Sequence, residues 1–285
     1  MDKTRQVTRP GFAPWQRSRL MNAWVDSLDI QEIVERLDEG GILFTLNPDH
    51  MYHLQRNPDF AAAYREATLV SSDSKYVYWS LGLIGRAIKQ KSSGSDIVPA
   101  YWAHHANNPD VGIFFLGARP GVGQMARERI NGIVGREIVV GAHGPSFNFV
   151  NDPKETDEAI AMINASGATC LIVGLGAPKQ EVWIHRNRHR MPGVKVYMGV
   201  GAVIDYEAEA VTRAPGWMNR NGLEWVYRLT TEPKRYWRRY FRTLDFFWMV
   251  LMDKFGLYRA PPFPAPGNSP EPSGDPRVAL LSSRA

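Results

Sequence analysis

The chain has 285 residues, of which 44% are hydrophobic and 22% charged, a composition typical of a globular protein large enough to bury one sizeable core. Its single cysteine, Cys170, excludes an intrachain disulfide framework and indicates a reducing compartment. We expect neither a signal peptide nor a membrane-spanning helix, because the basic N-terminus has no apolar segment and no apolar run approaches roughly 20 residues.

The net charge of +5 is concentrated in one segment. Residues 213–242 carry eight lysines and arginines against two glutamates, a net charge of +6. This excess predicts an anionic partner for the segment: nucleic acid, phospholipid or a diphosphate.

Helices and strands are predicted to alternate along most of the chain. Residues 1–19 have no periodicity and predict a flexible arm. Beyond them, strands are expected at 42–46, 68–71, 111–116, 137–140, 170–173 and 194–198, and helices at 30–37, 48–55, 58–67, 75–85, 98–106, 122–131 and 153–165. This order, with glycines after several strands, is typical of an α/β fold: a Rossmann-like, mostly parallel sheet with helices on both faces.

The pattern changes after residue 214. Helices at 217–229 and 233–255 are rich in arginine and aromatic residues, and seven prolines follow between 261 and 276. We therefore predict a catalytic domain at 20–214, a C-terminal helical appendage at 215–258 that docks on a membrane, and a disordered tail at 259–285. A helical subdomain packed on the core, or an oligomer interface, is the alternative for the appendage.

Residues 169–181, TCLIVGLGAPKQE, combine a buried strand, a glycine turn and a helix opened by Pro178. Gly174 and Gly176 allow the backbone to turn sharply and to approach a ligand, and the free N–H groups of the helix can hold a phosphate. A plain β-to-α turn is equally compatible. The third glycine of the dinucleotide fingerprint and the Lys-Ser/Thr pair of a P-loop are missing.

Polar residues follow the strands where ligands of parallel sheets bind. We expect six of these positions to converge: Asn47, Asp73, Gly117, His143, Gly176 and Gly201. Asp73 is placed to act as a general base, although its position alone favours a helix N-cap. Thr45, Asn47 and Asp49 form either a second polar site or a capped turn.

Other candidates have two interpretations each. Gln180 and Glu181 bind a nucleotide or complement the helix dipole, and Asp205 is a ligand or a cap. The pairs His185/His189 and His50/His53 have zinc-compatible spacing, but we interpret both as solvated helix faces. We expect no cofactor and no catalytic metal, because two aspartates separated by one residue, which hold the ion in many nucleotide-sugar transferases, do not occur.

Together these stretches resemble the WecG/TagA/CpsF glycosyltransferase family, family 26, over about Ile30 to Phe247. The order and spacing of the GxGxPKQE, RAP and EWxxRL strings make the resemblance specific. The matching stretches are Thr45-x-Asn47-Pro48-Asp49, Asp73, Gly94-x-Asp96, Phe115-Leu116-Gly117-x-x-Pro120-Gly121, Gly174 to Glu181, Gly199-Val200-Gly201-Ala202, Asp205, Arg213-Ala214-Pro215, Glu224-Trp225-x-x-Arg228-Leu229 and Glu232-Pro233-x-Arg235.

The resemblance implies an inverting, metal-independent enzyme of bacterial cell-surface polysaccharide synthesis. It implies a UDP-sugar donor, a polyprenyl-diphosphate-linked saccharide acceptor, and a cytoplasmic location, peripheral on the anionic inner face of the plasma membrane, without nucleic acid. Asp73 takes the position of the family's proposed general base, with Thr45 and Asn47 beside it. With the strand-end positions, the predicted substrate-binding set is Asp49, Lys91, Asp96, Gly117, His143, Gly174, Gly176, Gln180, Glu181, Gly201, Asp205, Arg213, Arg228 and Arg235.

The chain departs from the family at three positions. Ser74 and Glu209 stand where the family usually has glycine, and Lys91 stands where it usually has arginine. Lysine keeps the charge but loses the bidentate fork, so these changes bear on the donor sugar more than on the reaction.

Two other functions are open from the residues alone. A nucleotide-dependent oxidoreductase needs a fuller glycine fingerprint and an acidic ribose ligand about 20 residues further on. A nucleic-acid- or membrane-binding module without catalysis needs only the basic, aromatic helices. The sequence leaves the oligomeric state open, a homo-oligomer included.

Overall fold

A computed structural model describes residues 3–9, 13–210 and 233–261, together with residues 218, 226 and 230; for residues 233–243 it describes the backbone alone. The strands are β1 Thr4–Val7, β2 Trp15–Leu20, β3 Ala23–Asp26, β4 Gly41–Leu46, β5 Leu69–Ser72, β6 Ile113–Gly117, β7 Val139–His143, β8 Cys170–Gly174 and β9 Val196–Gly199. The helices are α1 Ile30–Leu37, α2 Pro48–Leu54, α3 Pro58–Glu66, α4 Lys75–Leu83, α5 Gly94–His104, α6 Val122–Val134, α7 Pro153–Ala165, α8 Lys179–Asn187, α9 Val203–Glu207 and α10 Pro233–Lys254.

The main sheet contains six strands in the order β5-β4-β9-β8-β6-β7, and every neighbouring pair is parallel. Strand β8 is central and its apolar residues are fully buried, since helices cover both faces. Leu171 and Val173 face a layer that includes α2, α3, α7 and α8. Cys170 and Ile172 face a layer of α1, α5, α6 and α9. The predicted α/β fold is confirmed.

Three element boundaries differ from the prediction by three residues or more, and one of them is the end of α6, at Val134 instead of residue 131. Helix α5 begins at Gly94, four residues before the predicted start. Its first turn is polar and it contains Pro99, which lacks an N–H, so the sequence pattern there is that of a loop. Strand β7 ends at His143, three residues beyond its predicted end.

The flexible arm predicted for residues 1–19 is wrong where the chain forms β1 and β2. Strand β2 pairs with β1 on one side and with β3 on the other, in an antiparallel sheet. Trp15 and Leu20 are buried, and the carboxylate of Asp26 accepts hydrogen bonds from Trp15 and Arg17. The same carboxylate accepts from the backbone N–H of Val70 in β5 at 2.7 Å. The small sheet is therefore fixed to the edge of the main sheet by a side chain distant in sequence.

The C-terminal helix α10 confirms the helix predicted from residue 233. Phe246 and Val250 are buried in the core layer that contains α2 and α8. Asp253 forms an ion pair with buried Arg86 at 2.7 Å, which anchors the end of the helix. Apart from residues 218 and 226, the predicted helix at 217–229 lies outside the described residues, as does the tail beyond residue 261, and the domain division stays a prediction. Across the described ranges, no helix combines the length and apolarity needed to cross a membrane.

Candidate active site

The predicted strand-end residues lie along one edge of the sheet, in the order of the strands that they follow. Asp73 follows β5 at one side, and His143 ends β7 at the other. Five strand spacings separate these positions, about 24 Å along the sheet. Asn47, Gly201, Gly174 and Gly117 lie between them. The set therefore forms a row across the sheet. The expected convergence is wrong for Asp73 and His143, which lie at the two ends of the row.

A glycine crevice marks the centre of this row. After β6 the chain passes through α6 on one face of the sheet to β7, at the edge of the sheet. After β8 it passes through α8 on the other face to β9, which lies in the opposite direction along the sheet. Such divergence is where open α/β sheets bind ligands. A Cβ atom on Gly117 would lie 2.6 Å from the backbone of Gly174, and one on Gly174 would lie 2.7 Å from the carbonyl oxygen of Gly201. Glycine is needed here because three backbone segments touch.

Gln180 joins two of these backbone segments. Its side-chain oxygen accepts hydrogen bonds from the N–H groups of Gly176 at 3.1 Å and Gly201 at 3.0 Å. Its amide nitrogen donates to the buried carboxylate of Glu181 at 2.8 Å. Both side chains are buried, so they position the glycine turns. Their contact with substrate stays a prediction.

The buried network continues from Glu181 to His50 and Tyr64. The Nε2 atom of His50 lies 3.7 Å from the Glu181 carboxylate, and its Nδ1 atom lies 2.6 Å from the Tyr64 hydroxyl. Burial raises the pKa of Tyr64 well above its usual value, and the charges of Glu181 and Asp73 raise it further. Tyr64 therefore stays protonated and can donate to His50.

The solvated face predicted for His50/His53 is wrong for His50, which is buried. Its partners come from α3 and α8, and no local pattern in the sequence shows them. The one available signal was that His50 shares a helical turn with the polar cluster of Asn47 and Asp49. His185, by contrast, pairs with Glu66 at the surface, as expected for a solvated face.

Asp73 does not cap helix α4, so the N-cap alternative is wrong. The cap is Ser74, whose hydroxyl oxygen accepts from the N–H of Tyr76 at 3.1 Å. The backbone N–H of Asp73 donates to the carbonyl of Leu46 at 2.9 Å and holds Asp73 beside the end of β4. The side chain is partly exposed. A carboxylate that is not used as the cap thus lies at the ligand edge of the sheet.

Asn47 forms the capped turn that was one of its two interpretations. Its side-chain oxygen accepts from the N–H groups of Asp49 and His50 at 3.0 and 3.1 Å. Thr45 is buried beside it, with its hydroxyl 3.5 Å from the carbonyl oxygen of Gly199. These contacts fix the ends of β4 and β9 next to Asp73, and a direct catalytic role for Thr45 or Asn47 stays a prediction.

Lys91 brings a positive charge to the same end of the sheet. The loop that carries it is fixed to β5, since the N–H of Ser92 donates to the carbonyl of Ser72 at 2.9 Å. The ammonium of Lys91 lies 3.5 Å from the carboxylate of Asp96 in the first turn of α5. Two predicted substrate-binding residues therefore contact each other, and a bound diphosphate would compete with Asp96 for this lysine.

The remaining predicted positions are less informative. Asp205 lies inside α9, whose N-cap is Ala202, so the cap alternative is wrong for Asp205. Arg213, Arg228 and the side chain of Arg235 lie outside the described residues. Helix α8 begins at Lys179 after a cis Ala177–Pro178 peptide bond, one residue later than predicted.

Comparison with known proteins identifies the class of enzyme. The model of the Glycosyl transferase WecG/TagA/CpsF family matches residues 18–260. The chain belongs to this family. The predicted resemblance is confirmed, and the chain is a glycosyltransferase. The assignment decides against an oxidoreductase and against a module without catalysis.

Two bacterial relatives in the WecG/TagA/CpsF family are similar over most of their length. Both are called N-acetylglucosaminyldiphosphoundecaprenol N-acetyl-beta-D-mannosaminyltransferase. The protein from Bacillus spizizenii is 33% identical over 203 residues, which cover 71% of this chain and 75% of the relative. The protein from Bacillus subtilis strain 168 is 28% identical over 230 residues, which cover 79% and 84%.

Proposed function

We propose that this glycosyltransferase moves N-acetylmannosamine from a UDP donor to a saccharide linked to polyprenyl diphosphate, in the synthesis of a bacterial cell-surface polysaccharide. The observation that carries the proposal is the glycine crevice on the same carboxyl edge of the sheet as the Asp73 carboxylate, in a family whose two similar relatives bear that activity in their names. We further propose that the reaction inverts the anomeric centre and uses no catalytic metal.

The donor is proposed to lie over the turns that follow β6, β8 and β9. Glycine backbones allow a diphosphate to approach closely, and N–H groups at helix starts favour negative charge. In this arrangement the sugar of the donor is proposed to extend along the row of strand ends toward Asp73. Gln180 supports this arrangement, because one side-chain oxygen holds both the Gly176 and Gly201 turns.

The chemistry proposed is a single displacement. The Asp73 carboxylate takes the proton of an acceptor hydroxyl. At the same time the oxygen of that hydroxyl attacks the anomeric carbon from the face opposite UDP. The bond from that carbon to the β-phosphate oxygen breaks, and its electron pair leaves with UDP. Lys91 and backbone amides stabilise the departing charge. Inversion follows because attack and departure occur on opposite faces.

The test is a turnover screen of UDP-sugars with a synthetic lipid-diphosphate-linked N-acetylglucosamine acceptor. The panel contains UDP-N-acetylmannosamine, its uronate, and UDP-linked glucose, glucuronate and galactose. We expect UDP release with UDP-N-acetylmannosamine, unchanged by EDTA, and a product of inverted anomeric configuration. Turnover that EDTA abolishes would contradict metal independence, and transfer of another sugar would overturn the donor assignment.

We also propose that the enzyme docks on the inner face of the plasma membrane through an apolar patch. The patch consists of Trp79 and Leu83 on α4 and Leu244, Phe247, Trp248 and Leu251 on α10, all of them exposed. Tyr76, also on α4, links the two helices. The centroid of its ring lies 5.9 Å from that of Trp79 and 5.5 Å from that of Phe247 on α10. Lys75 lies over the Trp79 ring, and the last part of the basic segment 213–242 forms the start of α10. Aromatic and basic residues together favour an anionic lipid surface.

Vesicle flotation tests this docking. We expect the enzyme to float with vesicles containing phosphatidylglycerol, and Leu244→Ser/Trp248→Ser to bind at least about 10-fold more weakly, since burying one large apolar side chain contributes about 1.5–3 kcal/mol. Ile133→Ser is the matched control, because Ile133 is equally exposed but lies on α6 in the opposite layer. Equal flotation of the patch and control variants would contradict docking through this patch.

A further inference from the structure

A cluster of metal-ligand residues lies at the edge of the sheet opposite the glycine crevice. Helices α1 and α5 run antiparallel to the strands and end side by side there. Asp38 is the C-cap of α1, His104 ends α5, and His105 is the C-cap of α5. One ligand atom from each side chain lies within 4.8 Å of the other two.

We propose that Asp38, His104 and His105 bind a zinc ion. Imidazole nitrogen and carboxylate oxygen are zinc ligands with bonds of about 2.0–2.2 Å, so tetrahedral donors lie about 3.4 Å apart. The Nε2 atom of His105 lies 3.1 Å from one oxygen of Asp38, and the Nε2 atom of His104 lies 3.5 Å from the other. Both distances are close to this separation.

The burial of His105 is a second observation that favours a ligand at this cluster. His105 is 5% exposed, and within the described residues its Nε2 atom makes no well-formed hydrogen bond, although the Asp38 carboxylate is close. A buried polar atom without a hydrogen bond is costly. A zinc ion between the two side chains would satisfy this nitrogen.

The surroundings also favour a cation, with one opposing group. Two helix C-termini carry partial negative charge toward the cluster. Arg136 opposes this effect, because its guanidinium donates to the carbonyls of His105 at 2.8 Å and Asn108 at 2.6 Å. The same bonds fix the backbone of His105 and so hold one ligand in place. The Asp38 carboxylate supplies a full negative charge that Arg136 does not contact.

The cluster is open on one side. The side chains of Asp38 and His104 are 42% and 32% exposed, which gives an ion a route of entry and leaves room for water as the fourth ligand. The site is remote from the crevice, so the ion would hold α1 against α5 and would take no part in transfer. The proposal therefore does not depend on the proposed function.

Zinc titration of the full chain, free of any histidine tag and stripped with chelator, tests the site. We expect one zinc ion per chain by calorimetry and a tetrahedral absorption spectrum with cobalt. His105→Gln and Asp38→Asn should each weaken zinc binding at least about 10-fold, because even substitutions of outer-shell partners commonly cost 10–100-fold. Zinc should raise the Tm of the wild type and not that of His105→Gln.

The control variant is His189→Gln, which removes an exposed histidine outside the cluster and should bind zinc like the wild type. If His105→Gln does not fold, Asp38→Asn and His104→Gln carry the test, since both side chains are partly exposed. The proposal is overturned if the wild type binds no zinc at one ion per chain, or if the cluster variants bind it as tightly as the wild type. Asp38 would then form only ordinary ion pairs with His104 and His105.

Discussion

Asp73→Asn is expected to lower kcat for sugar transfer about 10²–10⁴-fold, the usual contribution of a general base. Asparagine keeps the size of the side chain but cannot accept the proton of the acceptor hydroxyl. The cap of α4 is Ser74, so the substitution leaves the helix start intact. Donor binding should change little, because the glycine crevice lies on other strands.

The measurement is initial-rate kinetics at saturating donor and acceptor, with thermal unfolding to show that the variant is folded. Asp59→Asn, which changes an exposed aspartate on α3, is the control and should retain wild-type turnover. Undiminished kcat in Asp73→Asn would remove Asp73 from the mechanism. A loss of donor affinity with unchanged kcat would make it a binding residue.

Gly117→Ala is expected to lower the free energy of unfolding by about 2–6 kcal/mol. Backbone strain contributes about 1–3 kcal/mol, since φ is +130°, and steric overlap contributes about 1–3 kcal/mol. The overlap is with backbone atoms of Gly174, 2.6 Å from the new Cβ atom, which cannot rotate away. The turns would separate, and a displacement of about 1 Å can reduce the rate about 10²-fold.

Gly121→Ala is the matched control for this substitution. Gly121 lies in the same loop and also has a positive φ, +86°, but nothing lies within 4 Å of a Cβ atom there. It should lose only the backbone contribution, about 1–2 kcal/mol. Urea unfolding and UDP binding distinguish the two. If both variants lose the same stability, the close approach of the three segments is not what requires glycine at residue 117.

The sequence determined the sheet, the helices around it and the edge that holds the candidate site. These features depend on local patterns, since buried parallel strands are continuous apolar runs and helices repeat every 3.6 residues. Helix α7 illustrates this, because its predicted and observed limits, Pro153 and Ala165, are the same. The motif from Gly174 to Glu181, together with the RAP and EWxxRL motifs, indicated the family.

Only the tertiary structure decided which side chains meet. Strand β2 was missed because its arginines obscure the alternation, and Arg17 is neutralised by Asp26 on another strand. His50 is buried by Tyr64 and Glu181, and Asp38 meets two histidines on α5, although each partner lies more than ten residues away. Such contacts depend on how the strands are ordered in the sheet. Sequence periodicity reports which face of an element is buried, and it carries no information about the residue that the other element places opposite.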